Sequence, residues 1–189
     1  MRSPLIAGTL ALLALPTGAC SSDAPVLLDA TLTDADPAAR CLILTSYGAL
    51  GTKTGMPDVT TSNSLTIVLD PGPPKDDLFV KLTPGKGAFA GGALTTGTFP
   101  ITGADATFSD CGLCTNLIAD IVAGQGPTKF YYADSGTVTL TRASASTGTT
   151  TSMIAGSAQN LHFVEVDLAT GQPVAGGCTS TVASITFGS

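Results

Sequence analysis

The sequence predicts an all-β domain, an antiparallel β-sandwich of jelly-roll type or a partly open barrel, preceded by a signal peptide. Nine or ten short runs of apolar and β-branched residues alternate with turns that contain Gly, Pro or Asp. No long segment shows the 3.6-residue apolar period of an amphipathic helix. The 22 glycines and the low share of charged residues fit short strands and tight turns in a folded domain. Short strands with regular turn signals are typical of sandwiches and barrels.

The first predicted strands lie between residues 41 and 83. Residues 41–46 (CLILTS) form a short apolar run, and residues 64–70 (SLTIVLD) are β-branched and end at a proline-rich breaker. Residues 77–83 (DLFVKLT) alternate like a half-buried strand. The Gly- and Thr-rich segments 48–62 and 84–97 are predicted to be loops.

The clearest predicted hairpin lies in the second half of the domain. Residues 129–133 (KFYYA) and 137–142 (TVTLTR) flank the turn-forming residues 134–136 (DSG). Strict alternation in the second arm predicts that Val138 and Leu140 face the core. Further strands are expected at 98–102, 106–109, 151–157, 160–168 and 180–187. The segment after Cys114 fits either a short helix or a strand.

The first residues have the three parts of a secretory signal. Arg2 precedes the apolar stretch 5–15, and the small residues 16–19 follow it. The apolar stretch is too short to cross a bilayer as a helix, which needs roughly 20 residues. Cleavage after Ala19 leaves Cys20 as the first residue of the mature chain, in the position that takes a lipid. We therefore predict a lipoprotein signal peptide at 1–19, a tether at 20–37 and the β-domain at 38–189, with Cys20 joining the protein to a membrane.

Four cysteines remain once Cys20 carries a lipid. An even number in an exported chain predicts two disulfides, and sequence alone allows three connectivities. The favoured pairing joins Cys111 to Cys114 and Cys41 to Cys178. A thiol-redox centre at Cys111 and Cys114 is an alternative, and it requires a helix that begins at the motif. A four-thiolate zinc site is disfavoured because two of these cysteines are isolated in the sequence.

Composition excludes several classes of function. The net charge is −6 and the eight basic residues are scattered, so no nucleic-acid partner is predicted. His162 is the one histidine, which excludes a polyhistidine metal centre, and no cofactor motif is present. The adjacent Asp76 and Asp77 are interpreted as a solvated turn. The pairs Asp110 with Asp120 and Glu165 with Asp167 offer carboxylates for glycoside hydrolysis, but the chain is poor in the aromatic residues on which sugars pack.

A structural or interaction role without catalysis is therefore the predicted function. One alternative is an extracellular or envelope hydrolase, in which His162 would be the only histidine that could act as base. The other alternative is the thiol-redox protein that uses Cys111 and Cys114. A cleft that gathers His162 with an acid and a serine would favour the hydrolase.

The chain resembles small secreted lipoproteins of Gram-negative, myxobacterial-type bacteria. The resemblance lies in the lipobox-like residues 17–20, the CGLC motif at 111–114, residues 132–140, and EVDL at 165–168 followed by GGC. Thr17 stands where such a lipobox usually has Leu. In that group a residue other than Asp after the lipidated cysteine implies the outer membrane, and Ser21 stands there. The resemblance implies an outer-membrane or cell-surface location, otherwise a periplasmic or secreted one, and carries over no catalytic residues.

Overall fold

The structure, a computed structural model, describes residues 41, 46–58, 62–72, 74–147 and 150–189. The predicted signal peptide, the tether and Cys20 lie outside the described residues, as do positions 42–45 of the first predicted strand. All of the described residues belong to one compact unit, Thr33–Ser189.

Nine strands dominate this part of the chain, so the predicted all-β class is confirmed. They are β1 (Ser46–Pro57), β2 (Ser64–Asp70), β3 (Lys75–Leu82), β4 (Gly97–Pro100), β5 (Leu113–Ile121), β6 (Lys129–Ser144), β7 (Met153–Asp167), β8 (Gln172–Pro173) and β9 (Thr179–Gly188). The described residues also contain two short 3-10 helices, Gly87–Phe89 and Gly103–Ala106, and no α-helix. Within them, no helix has the length and apolar character that crossing a membrane would need.

Seven of the strands close into a barrel. Their order around it is β6, β5, β3, β2, β1, β9 and β7, and β7 pairs back with β6. The short strand β4 extends the sheet beside β6, and β8 pairs with the end of β7. All neighbours are antiparallel except β1 and β9, which run parallel. The predicted sheet was wholly antiparallel and at most partly open. It is instead mixed and closed, and closure leaves no long unpaired edge among these seven strands.

The core is built from inward-facing residues at alternating positions along the strands. Representative buried side chains are Leu65, Ile67, Leu78, Val80, Leu113, Leu117, Leu161, Phe163, Val182 and Phe187. Each fully buried Leu, Ile or Phe contributes about 1.5–3 kcal/mol relative to an exposed one. Val138 and Leu140 belong to the same core while Thr141 is exposed, so the alternation predicted for this segment is confirmed.

The predicted hairpin at 129–142 is wrong, because residues 129–144 form the single strand β6. Residues 134–136 make an irregular bulge, and the register against β7 shifts on both sides of Ser135. Gly136 has φ +123°, and a Cβ atom there would lie 2.8 Å from the carbonyl oxygen of Asn160. The residue types at 134–136 suit a β-bulge as well as a hairpin turn, because glycine tolerates the unusual backbone angles of both.

Three other predicted elements are corrected. The segment 48–62 is predicted to be a loop, yet β1 runs through Pro57 with mostly exposed or half-buried side chains. The two strands predicted at 151–157 and 160–168 are one strand, β7. The strand predicted at 106–109 is absent, and a 3-10 helix and turn lie there.

Candidate functional site

Five ionisable side chains form a polar cluster inside one end of the barrel. This end is made by the starts of β1, β3 and β6 and by the end of β5, which meet because paired neighbours run antiparallel. We use the name polar cluster for Tyr47, Asp76, Asp120, Lys129 and Tyr131. Ionisable groups are rarely buried without a partner, so the contacts of each side chain decide what the cluster can do.

Asp76 lies at the centre of these contacts and is 3% exposed. It stands two residues before the buried Leu78 in β3. Because side chains alternate between the two faces of a strand, the Asp76 side chain points to the interior as that of Leu78 does. Its Oδ2 accepts a hydrogen bond from the Tyr47 hydroxyl at 2.6 Å, and its Oδ1 accepts one from the Asp120 backbone N–H at 2.8 Å. Both donors offset the cost of burying the carboxylate.

Asp120 has an unusual backbone conformation. Its φ is +55°, in the left-handed region that non-glycine residues seldom adopt, although Asp and Asn tolerate it better than most. The bond from its N–H to Asp76 helps to hold this conformation. The Asp120 side chain is 10% exposed, and its Oδ2 lies 3.7 Å from the Lys129 Nζ. Backbone strain of this kind gathers at functional sites.

Both tyrosines of the polar cluster hold their protons strongly. Burial raises the pKa of Tyr47, and its hydrogen bond to Asp76 and the charges of Asp76, Asp70 and Asp120 raise it further. Burial also raises the pKa of Tyr131, with added repulsion from Glu165, Asp120 and Asp76. Both hydroxyls are therefore protonated at physiological pH, and that of Tyr47 donates its hydrogen bond to Asp76.

These shifts predict a loss of stability in alkali. An ordinary tyrosine has a pKa of about 10, so above that pH the unfolded chain releases protons that the folded chain retains. The stabilising effect is complete below about pH 10 and falls as pH rises, by about 1.4 kcal/mol per pH unit for each such tyrosine.

The measurement is tyrosinate absorbance and circular dichroism followed together during alkaline titration. The chain has three tyrosines, and burial raises the pKa of the third, Tyr132, as well. Tyrosinate is therefore expected to appear in the same step as the loss of structure. The Tyr131→Phe variant should unfold with a shallower pH dependence. Ionisation of two or three tyrosines in the folded protein would contradict the prediction.

An apolar cleft opens beside the polar cluster. It has a volume of about 670 Å³, and Asp120 and Lys129 form its polar side. The remaining wall comes mainly from Pro74, Ile121, Val122 and Ala123. Small-molecule sites in proteins have volumes of about 300–1,000 Å³ and combine an apolar wall with a few polar groups. The cleft has both properties.

His162 lies in a second, smaller groove of about 330 Å³. Its Nδ1 lies 2.7 Å from the Asp134 Oδ1, which also accepts a hydrogen bond from the Ser135 hydroxyl at 3.2 Å. The same groove contains Ser46 and Thr181, whose hydroxyl oxygens are 2.9 Å apart. The structure therefore brings the predicted histidine next to an acid and close to hydroxyl groups.

This second groove lacks other parts of a hydrolytic site. Within the described residues, His162 makes no hydrogen bond to a hydroxyl group that could act as nucleophile. At this point β7 is paired on both sides, with Ser135 of β6 and Thr181 of β9. Backbone N–H groups that are engaged in a sheet cannot form the oxyanion hole that acyl transfer needs. His162 in β7 instead pairs with Asp134, which belongs to the bulge of β6.

The four cysteines other than Cys20 form two disulfides. Cys41 is bonded to Cys178 and Cys111 to Cys114, with Cα–Cα distances of 5.4 Å and 5.1 Å. These are the two pairs that the sequence favoured. The segment after Cys114 is the strand β5, so the helix that a thiol-redox centre requires does not follow the motif.

The acid pairs considered for glycoside hydrolysis have other surroundings. Glu165 is half-buried, and its Oε2 accepts a hydrogen bond from the Cys178 backbone N–H at 2.8 Å. Asp167 is exposed and its Oδ1 accepts one from the Ala169 N–H at 2.8 Å. Asp110 is likewise exposed, in contrast to Asp120. The Asp167 carboxylate therefore braces a turn, and that of Glu165 is engaged with the backbone at Cys178.

The sequence interpretation missed the polar cluster, because Asp76 and Asp77 were expected to form a solvated turn. Both side chains are buried instead. The available signal was the phase of β3, in which Asp76 falls on the same face as Leu78, Val80 and Leu82. In the described residues, no group of three or more His, Cys, Asp or Glu side chains is arranged to hold a metal ion. Comparison of the chain with protein-family models, with curated proteins and with solved structures finds no match.

Proposed function

We propose that the protein is a lipid-anchored component of the cell envelope, in which the barrel serves a structural or interaction role at the outer membrane or cell surface. The observation that carries this proposal is Cys20 itself. It follows an apolar run and the small residues 16–19, as a cysteine that receives a lipid does. The anchor provides the membrane partner, and the barrel is the part that other envelope molecules contact.

The pairing of the other cysteines supports an exported protein. Four of the five cysteines are joined in two disulfides, which leaves Cys20 as the odd one. Disulfides persist in oxidising compartments such as the periplasm and the cell surface, and they are rare in the cytosol. An odd cysteine in an exported protein calls for a separate role, and attachment of a lipid provides one.

The surface of the barrel favours interaction over catalysis. The seven strands are closed, so binding of a partner by addition of a strand to the barrel is disfavoured. Polar loops and the outward side chains of the strands remain as the surface that a partner can contact. The groove of His162 lacks a hydrogen-bonded nucleophile among the described residues, so hydrolysis is the less favoured function.

Lipidation is tested by substitution of the cysteine. In cells fed a labelled fatty acid, the Cys20→Ser variant is expected to lose the label completely, because the acyl chains are attached through that residue. The double variant Cys111→Ser/Cys114→Ser is the matched control and should keep the label. Label that persists after Cys20→Ser would refute the proposed anchor.

The outer-membrane location is tested at the next residue. Ser21→Asp introduces the residue that retains lipoproteins of the group named above at the inner membrane. Fractionation of Gram-negative cells is expected to find this variant in the inner membrane, and the control Ser21→Ala in the outer membrane. An unchanged location of Ser21→Asp would contradict sorting by this position.

A further inference from the structure

We propose that the apolar cleft beside Asp120 is a binding site for a small amphiphilic cation, an ammonium or guanidinium group carried on an apolar body. The inference concerns the barrel alone and does not depend on the lipid anchor at Cys20. Three features of the cleft support it: a largely buried carboxylate that receives no hydrogen bond from the described residues, a surrounding excess of negative charge, and an apolar wall.

The Asp120 carboxylate is the anchor. Its side chain is nine-tenths buried, and within the described residues neither of its oxygens accepts a hydrogen bond. The Lys129 Nζ at 3.7 Å is too distant for one. Partial burial of a carboxylate is unfavourable unless donors complement it, and charged N–H donors are the strongest complement. Asp120 lines the cleft, so a ligand cation there adds charged donors to the ion pair with Lys129.

The charges around the anchor favour a cation over an anion. The carboxylates of Asp76 and Glu165 act together with that of Asp120 on the Tyr131 hydroxyl, so all three lie in the same region. Among the described residues, Lys129 forms the ion pair with Asp120. Lys75, which follows Pro74 of the cleft wall, is paired with Asp77. Within this part of the chain, the carboxylates of Asp76, Asp120 and Glu165 therefore outnumber the Lys129 ammonium group, and the partly buried setting strengthens the attraction for a cation.

The wall of the cleft determines the rest of the ligand. Pro74, Ile121, Val122 and Ala123 present apolar surface, and Val122 is 40% exposed. Removal of this apolar surface from water is favourable, and an alkyl or aromatic body beside the cationic head of a ligand would cover it. The volume of about 670 Å³ accommodates a compact small molecule rather than a polymer segment.

The backbone conformation of Asp120 sets the position of its carboxylate beside the cleft. The left-handed conformation, with φ +55°, is unfavourable for a residue with a side chain, and the hydrogen bond that the Asp120 N–H donates to the Asp76 carboxylate maintains it. Substitution by Asn preserves the shape of the side chain and tolerates the same conformation. Asp120→Asn therefore removes the charge without imposing a new backbone strain.

The test is calorimetric titration of the detergent-solubilised full chain with n-pentylamine, n-pentanol and n-pentanoate, with micelles alone as the blank. Pentylamine is expected to bind more tightly than pentanol, and pentanoate more weakly than both. Asp120→Asn should weaken pentylamine binding by about tenfold or more, since a desolvated charge pair is lost. The matched control Asp110→Asn removes the same charge from an exposed position and should leave binding unchanged.

Each contrary outcome overturns the proposal. Tighter binding of pentanoate, lost in Lys129→Gln, would make Lys129 the anchor of an anion site. Equal binding of pentylamine and pentanol, unaffected by Asp120→Asn, would leave an apolar cleft without charge recognition. Absence of pentylamine binding to the wild-type chain would show that the cleft is not a binding site for such a cation. Every variant must match the wild-type chain in near-UV circular dichroism and melting temperature. Lys129→Gln is expected to strengthen pentylamine binding, because it removes the ammonium group that competes for Asp120.

Discussion

The double variant Cys41→Ser/Cys178→Ser is expected to lose about 5 kcal/mol of unfolding free energy. The disulfide it removes joins residues 137 positions apart, so it closes nearly the whole domain into one loop. In the chain-entropy treatment, the stabilisation rises with the logarithm of loop length, because a longer loop restricts more of the unfolded ensemble. Domains are typically stable by only about 5–15 kcal/mol, so the loss would leave this one marginal or unfolded.

The second disulfide provides the matched control. Cys111 and Cys114 are only 3 positions apart, and the same treatment gives their bond about 2 kcal/mol. Urea unfolding of both double variants, each in a Cys20→Ser background so that no odd thiol can exchange, measures the difference. Equal losses in the two variants would show that loop closure does not determine the stabilising effect.

Individual strands could be predicted where the sequence has a clear period. β2 occupies the predicted positions 64–70, and β9 extends the predicted strand 180–187 by one residue at each end. β1 was missed because its residues GALGTKTG have neither apolar alternation nor high β-propensity. Its strand conformation comes from two nonlocal partners, β2 and β9, which the local pattern does not reveal.

The closed barrel could not be predicted for a related reason. Closure depends on the parallel pairing of β1 with β9, whose residues are more than 100 positions apart in the chain. It also depends on β6, which pairs with β5 before the bulge at residues 134–136 and with β4 after it. The bulge allows both halves to belong to one strand. Turn-forming triplets and bulges use the same residue types, so only the partner strand distinguishes them.

The candidate site was partly predictable. Asp76 lies on the buried face of β3, and the alternation that places it there can be recognised in the sequence. Asp120 was not predictable in the same way, because the register of β3 against β5 shifts near the end of the pair, between Lys75 and Asp77. A shift of one residue exchanges the two faces of a strand, so the position of the Asp120 side chain follows from the bulge.

Asp76→Ala is expected to destabilise the protein by about 2–5 kcal/mol, since it leaves two buried donors without an acceptor. One is the Tyr47 hydroxyl and the other is the Asp120 N–H. Each unsatisfied buried group costs about 1–3 kcal/mol, and burial of Asp76 to 3% exposure leaves little access for replacement water. The measurement is the midpoint of urea unfolding at neutral pH, with a check that the slope is unchanged.

Two further variants distinguish the hydrogen bonds from the charge. Asp76→Asn keeps an acceptor for the Asp120 N–H and should lose less stability than Asp76→Ala, whereas Asp110→Ala removes an exposed carboxylate and should lose within about 0.5 kcal/mol. Because Asp76 also holds the left-handed backbone of Asp120, Asp76→Ala should weaken pentylamine binding even where the protein remains folded. Equal stability of Asp76→Ala and Asp110→Ala would mean that the buried carboxylate does not organise this end of the barrel.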